Sequence, residues 1–190
     1  MIRIAARHDY QSMLDIYMPY VKTTAVTFEY ELPDIVEYTE RIASFQKNYP
    51  CLIFEHNQEI IGFAYAHRLF EKSAYQWDVE ATIYCKQTAR GQGIGTTLMQ
   101  CLLDVLKLQN VQNVYSLVTY PNPSSFALHQ KLGFVQSGVY HQCGYKLNEW
   151  HDVVVFERIL QKSQPPLTFL SFENLKFHQI AEVLSNYQTQ

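Results

Sequence analysis

Three glycines at alternate positions, Gly91, Gly93 and Gly95, stand just ahead of a run of apolar residues at helical spacing, in the stretch Arg90-Gly91-Gln92-Gly93-Ile94-Gly95-Thr96. A tight turn that leads straight into a helix binds anions, because its unpaired backbone N–H groups and the positive end of the helix dipole point the same way. Such a turn suits a diphosphate. The spacing excludes a nucleotide P-loop, since Gly95 is followed by Thr96-Thr97 and no lysine. A dinucleotide fingerprint fits poorly: Thr96 stands where the third glycine belongs, and Thr119-Tyr120 where a carboxylate belongs. The plain alternative is a structural turn between a strand and a helix.

A second group with chemistry is Glu80, set in the otherwise apolar run Val79 to Tyr84. A carboxylate among apolar neighbours is pushed towards neutral pKa values, which suits a general base; the alternative is a solvent-facing residue on an alternating strand. His129 sits on a short helix, where a lone histidine is more often structural than a proton donor. Trp150-His151-Asp152 places His beside Asp, but neighbours on a strand face opposite ways and no G-x-S-x-G elbow exists, so the segment reads as structure or dimer contact. Cys51, Cys85, Cys101 and Cys143 form no C-x-x-C pair and have no histidine at zinc spacing. They read as reduced thiols in or near the core, and no metal site is expected.

These groups need elements to hold them. Alternation predicts an opening strand over residues 2–7, and helical spacing a helix over 9–20. Residues 23–32 read as a loop or short strand, and Pro33-Asp34 opens a helix through Phe45. Strands are expected at 51–55 and 59–68, joined through Asn57-Gln58, and at 77–85, which carries Glu80. After the glycines, Leu98, Cys101, Leu102, Val105 and Leu106 make one apolar helix face. A buried strand over 114–119, a short helix over 124–132 stopped by Gly133, and strands over 134–145 and 152–159 complete one α/β domain, residues 1–160. Beyond Pro165-Pro166, Phe177, Ile180, Ala181 and Leu184 share a helical face, so residues 161–190 read as an extension ending in a docked helix.

The 190-residue chain can bury a sizeable core without staples, and its formal charge of -3 argues against a generally basic nucleic-acid binder. The polar start and the lack of any long apolar run leave no expected signal segment or membrane span, so the cytoplasm is the expected compartment.

Arg90-x-x-Gly93-x-Gly95 matches the Gln/Arg-x-x-Gly-x-Gly/Ala pattern of the GNAT superfamily of N-acetyltransferases, and 122–134, from Asn122-Pro123-Ser124-Ser125 to Leu132-Gly133-Phe134, resembles that family's second signature. Residues 74–84, Thr24 to Glu29 and Asn148 to Val153 are similar to the phosphinothricin acetyltransferase branch, which acetylates the free amine of small amino acids such as phosphinothricin and methionine sulfoximine or sulfone. The resemblance covers the chain to about Ile159. It implies a mixed, mostly antiparallel sheet flanked by helices, with two central strands parting at acetyl-CoA.

It further implies that Arg90, Gly91, Gln92, Gly93, Ile94, Gly95 and Thr96 hold the pyrophosphate. Backbone groups of Ile83, Tyr84 and Cys85, with Asn122 and Ser125, would hold the pantetheine arm. Glu80 would be the general base, and His129 stands where many members place a Tyr that protonates the departing thiolate. Phe28, Lys72 and Tyr75 are expected around the substrate. Relatives usually carry Arg where this chain has Lys72, which keeps the charge but loses the two-pronged geometry for an acidic group. A homodimer is also implied. The competing readings are a transferase for a protein N-terminus or a polyamine, and a non-catalytic CoA-binding sensor.

Overall fold

The computed structural model describes residues 1–89, 91–162 and 164–188. Among these, seven strands form one sheet in the order β1-β2-β3-β4-β5-β7-β6: β1 Ile2–Ile4, β2 Cys51–His56, β3 Glu59–Arg68, β4 Asp78–Cys85, β5 Asn113–Tyr120, β6 Val135–Lys146 and β7 Glu149–Ile159. Every pairing is antiparallel except β4 with β5. The helices are α1 Tyr10–Thr23, α2 Ile35–Gln46, α3 Ile94–Leu108, α4 Pro123–Lys131 and α5 Phe177–Ser185. This is the mixed, mostly antiparallel architecture expected from the sequence.

Strand alternation builds a core on each face. Ile53 and Phe63 point to α1 and α2, where they meet Met13, Tyr17, Tyr38 and Ile42. Leu52, Ala64, Ala66 and Val79 point the other way, against Leu98, Met99, Leu102 and Leu106 of α3. Local chemistry fixes the ends of the elements. Asp34 caps α2 by accepting from the Val36 and Glu37 amides at 2.8 Å. Asn57 and Gln58 both take positive φ, the geometry of a tight two-residue hairpin.

Several expectations need correction. The opening strand stops at Ile4, because Asp9 draws the chain into a turn: it accepts from the Ala6 amide at 2.7 Å and takes both prongs of the Arg3 guanidinium. Residues 23–32 are loop, apart from the end of α1. Strand β7 begins at Glu149 instead of Asp152, because Leu147 and Asn148 form a second tight turn with positive φ. Cys143 is exposed, on an irregular stretch of β6 where the register shifts, whereas Cys51 and Cys101 are buried. Phe177 is 79% exposed; Ile180, Val183 and Leu184 make the apolar contact of α5.

The segment after β7 is tied down along its length. The side chain of Gln109 donates to the carbonyls of Asn48 and Leu170, Asn110 donates to Thr168, and Trp77 Nε1 donates to Leu167. Ile180 then packs with Val105 of α3. Ile180→Ala is expected to lower unfolding stability by about 2–4 kcal/mol, read by urea denaturation. An unchanged midpoint would mean that the helix does not dock.

Candidate active site

Strands β4 and β5 are paired only at Asp78↔Asn113, Val79↔Val114 and Glu80↔Tyr115. Beyond these residues β4 stays with β3 as far as Cys85, and β5 stays with β7 as far as Tyr120, so a cleft opens between them. Ser116 Oγ donates to the Ala81 carbonyl at 2.9 Å and ties the two strands at the fork. A cavity of about 390 Å³ runs into this cleft, walled by Glu80 to Tyr84, by Ser116 to Thr119, and by Asn122, Ser125 and His129. Its other wall comes from α1, α2 and the loop between them.

Glu80 lies at the fork. Burial pushes its carboxyl above the usual carboxylate range, and His67, whose Nε2 is 3.9 Å away, partly opposes the shift. Tyr17 is held neutral, burial having moved its phenol up to about 12, and its hydroxyl lies 2.7 Å from Thr27 Oγ1. The cavity also receives Glu29 and Arg41, which pair with each other, while a second prong of Arg41 reaches Glu37 at 3.0 Å.

The glycine turn has the form expected. Gly91 and Gly93 take φ of 77° and 80°, a left-handed conformation that a side chain strains. Among the described residues no side chain caps α3, and its first internal amide bond is Thr97 to Gly93, so the amides of Ile94, Gly95 and Thr96 lack intrahelical partners. Gly95 serves a different purpose: a Cβ there would stand 3.1 Å from Leu128 Cδ1, so its absence lets α4 approach α3. Arg90 lies outside the described residues.

Of the other expected residues, Asn122 caps α4 by accepting from the Ser125 amide at 3.2 Å, and Ile83 and Tyr84 line the cleft. Tyr84 is packed edge-on against Tyr17 and Tyr20, so its ring belongs to the core and its backbone to the cleft wall. Cys85, half-buried, ends β4, and its carbonyl accepts from the Tyr20 hydroxyl. His129 is 2% exposed; its Nδ1 donates to the Ser125 carbonyl at 2.7 Å, and its ring stacks on Phe156. Burial lowers its pKa, which favours the neutral ring near pH 7, and Nε2, buried with no hydrogen-bond partner among the described residues, then presents a lone pair. That geometry suits an acceptor and not the acid role implied by the resemblance.

Phe28 lines the cavity, but Lys72 and Tyr75 do not. Lys72 precedes and Tyr75 ends an exposed helical turn, Ser73–Tyr75, and the Tyr75 ring packs edge-on against Phe70. The cation that faces the cavity is Arg41. The sequence reading missed it, along with Glu29 and His67. Arg41 stands four residues after Glu37 on α2, a helical ion-pair spacing that could have flagged it; His67 gave no signal, because its partner lies across a strand pairing whose register is not written in the sequence.

Among the described residues, no helix is long and apolar enough to cross a membrane. The family model for the acetyltransferase (GNAT) domain matches residues 2–155. The phosphinothricin N-acetyltransferase of Streptomyces viridochromogenes is 33% identical over 165 residues, which span 87% of this chain and 90% of that protein. The L-methionine sulfoximine/L-methionine sulfone acetyltransferase of Pseudomonas paraeruginosa is 29% identical over 82% of this chain and 92% of that one. Among solved structures, a GNAT superfamily phosphinothricin acetyltransferase from Sinorhizobium meliloti in complex with acetyl-CoA gives a TM-score of 0.85 at 28% identity, covering 92% of this chain and 96% of that chain.

Phe28 is seated on Gly144 of β6, where an added Cβ would fall 2.2 Å from the ring. Gly144→Ala is therefore expected to displace Phe28 and to cost about 1–3 kcal/mol of stability, read by thermal unfolding. A variant as stable as the parent would show that the ring is not fixed there.

Proposed function

This chain belongs to the GNAT acetyltransferase family and is an N-acetyltransferase; from that premise we propose that it acetylates the free amine of a small amino acid, with Glu80 as general base. The observation that carries this reading is a buried carboxylate of raised pKa at the fork of a cleft between parting strands. Acetyl-CoA is the cosubstrate, as in the Sinorhizobium relative, and supplies an acyl carbon already activated as a thioester.

The residues present fit it. The uncapped amides of α3 and the left-handed glycines would take the diphosphate, and the cleft-facing edge of β4 at Ile83 and Tyr84, with Asn122 and Ser125, would border the pantetheine arm. An aliphatic ammonium cannot attack until it loses a proton, and a carboxylate of raised pKa can accept one near neutral pH. Glu80 takes that proton; the amine nitrogen then bonds to the acyl carbon, the carbon–sulfur bond breaks, and the second proton that the nitrogen sheds on becoming an amide passes through solvent to the leaving thiolate. A backbone N–H of the β4 edge stabilises the intermediate oxyanion. We assign His129, neutral and buried, to holding α4 against Phe156.

The substrate class is taken from relatives that act on phosphinothricin and on methionine sulfoximine or sulfone. In this reading the acidic end of the acceptor lies towards Arg41 instead of Lys72, because Arg41 lines the cavity. A homodimer is supported by the exposed aromatic pair Tyr145 and Trp150, direct cross-strand partners on β6 and β7. Light scattering should return twice the 22.2 kDa chain mass.

Free CoA release with phosphinothricin, methionine sulfoximine and methionine sulfone tests the assignment, and no turnover with any of them would overturn the substrate class. Glu80→Gln is expected to keep acetyl-CoA affinity while lowering kcat/KM by about 10²–10⁴-fold at pH 7.5. Gly93→Ala should do the reverse, weakening acetyl-CoA binding in calorimetry by straining the turn that aims the amides.

A further inference from the structure

Residues His67 and Glu80 are direct partners in the β3–β4 ladder, as are Tyr65 with Thr82 and Phe63 with Tyr84. Direct partners project to the same face of the sheet, so the imidazole and the carboxylate meet at the edge of the acetyl-transfer cavity. The orientation of the ring is fixed on three sides. Nδ1 lies 3.0 Å from the Arg68 carbonyl, which can only accept, so Nδ1 carries a hydrogen. Phe45 stacks on one face at 5.1 Å between centroids, and Tyr65 lies 6.2 Å away. Nε2 is left facing Glu80 Oε2 at 3.9 Å, too far for a direct hydrogen bond and close enough for charge to act.

His67 also lines a second cavity, of about 400 Å³, together with Phe45, Asn48, Tyr49, Arg68 and Glu71. Phe45 and His67 are common to both cavities and form the partition between them. One wall of that second cavity is Phe169, from the segment that follows the family match and packs on Tyr49.

We infer that His67 is a positioning residue for the base: a positive charge on its ring, 3.9 Å from Glu80, holds the carboxylate in the ionised form that accepts the proton of the acceptor. This inference rests on the assignment of Glu80 as base.

The other charged and titratable groups around the ring do not replace His67. Across the first cavity Arg41 is engaged by Glu29 and Glu37, and Tyr17 and Tyr65 are phenols kept neutral by burial. On the second-cavity side, Arg68 and Glu71 carry opposite charges, and the Tyr49 phenol is raised by burial. The sign follows from Coulomb attraction. A cation beside Glu80 favours the carboxylate over the carboxylic acid, so removing it moves the loss of base function to higher pH. Imidazole is the side chain that takes on charge between pH 5 and 8, so the effect belongs to the acid limb.

The test is the pH profile of kcat/KM from pH 5 to 9 for the wild type, His67→Gln and His67→Lys, with an acceptor that the wild type turns over. His67→Gln should move the acid limb up by about one pH unit, with a loss of about 5–10-fold at pH 6 that shrinks as pH rises. His67→Lys, which keeps a cation at every pH in the range, should leave the limb in place or move it down. A purely structural role would lower both variants by the same factor at every pH, and parallel profiles overturn the inference. Glu80→Gln run alongside separates the two claims. Full activity of that variant removes the base itself, whereas a collapsed Glu80→Gln rate with unmoved His67 profiles removes only the role given to His67.

Discussion

The site depends on the parting of two strands. Parallel β4 and β5 hold together for the three register pairs that end at Glu80↔Tyr115, and each then follows a different neighbour. A strand edge inside a sheet is a row of backbone donors and acceptors that cannot be buried unpaired without cost, so a permanent fork must be open to water or to a ligand that hydrogen-bonds as a strand would. A pantetheine arm carries amides and is such a ligand. The chain holds the fork at a fixed point with one side-chain bond, Ser116 Oγ to the Ala81 carbonyl. Glu80 is the last residue of β4 paired with β5 before the strands diverge, so its carboxylate and the cleft are set by the same event.

Two helices turn this fork into a site of defined length. Helix α3 starts from a glycine-built turn with Gly93 at its N-cap, less stable than a side-chain cap by a few tenths of a kcal/mol, and leaves its first amides turned outward for an anion. Its stability comes instead from the apolar stripe of Leu98, Met99, Leu102 and Leu106, which is wholly buried. Helix α4 starts from Asn122 at the other lip and is drawn against α3 through the missing side chain of Gly95. The packing that makes the domain stable thus also sets the distance between an anion site and a base.

Much of this was legible in the sequence because it is local. The glycines declare a turn by their type, Asn122-Pro123 declares a helix start, and the spacing of Leu98 to Leu106 declares a buried face. Glu80 could be read as well, since its neighbours are apolar. What could not be read depends on register or on side-chain direction. His67 becomes the partner of Glu80 only once β3 and β4 are aligned across a loop of nine residues, 69–77, in which one slip would turn the ring to the other face. Lys72 was expected at the acceptor on charge, yet it lies on an exposed turn, while Arg41 reaches the cavity from a helix that reads as ordinary amphipathic packing.

A buried carboxylate of raised pKa is itself a local instability above that pKa, because the folded state then holds a charge that the unfolded chain would hydrate better. The sign is definite: the penalty is absent below the ordinary carboxylate pKa of the unfolded chain, grows as pH rises from there to the raised folded value, and is constant above it. Evolution of a base at this position therefore requires neighbours that lower the penalty without abolishing it, since a fully solvated glutamate would be too weak a base near neutral pH. A fixed cation would overcorrect and return the carboxyl to the ordinary range. In the proposed scheme the His67 imidazole, 3.9 Å away and bordering its own cavity, is the neighbour placed to offset that penalty.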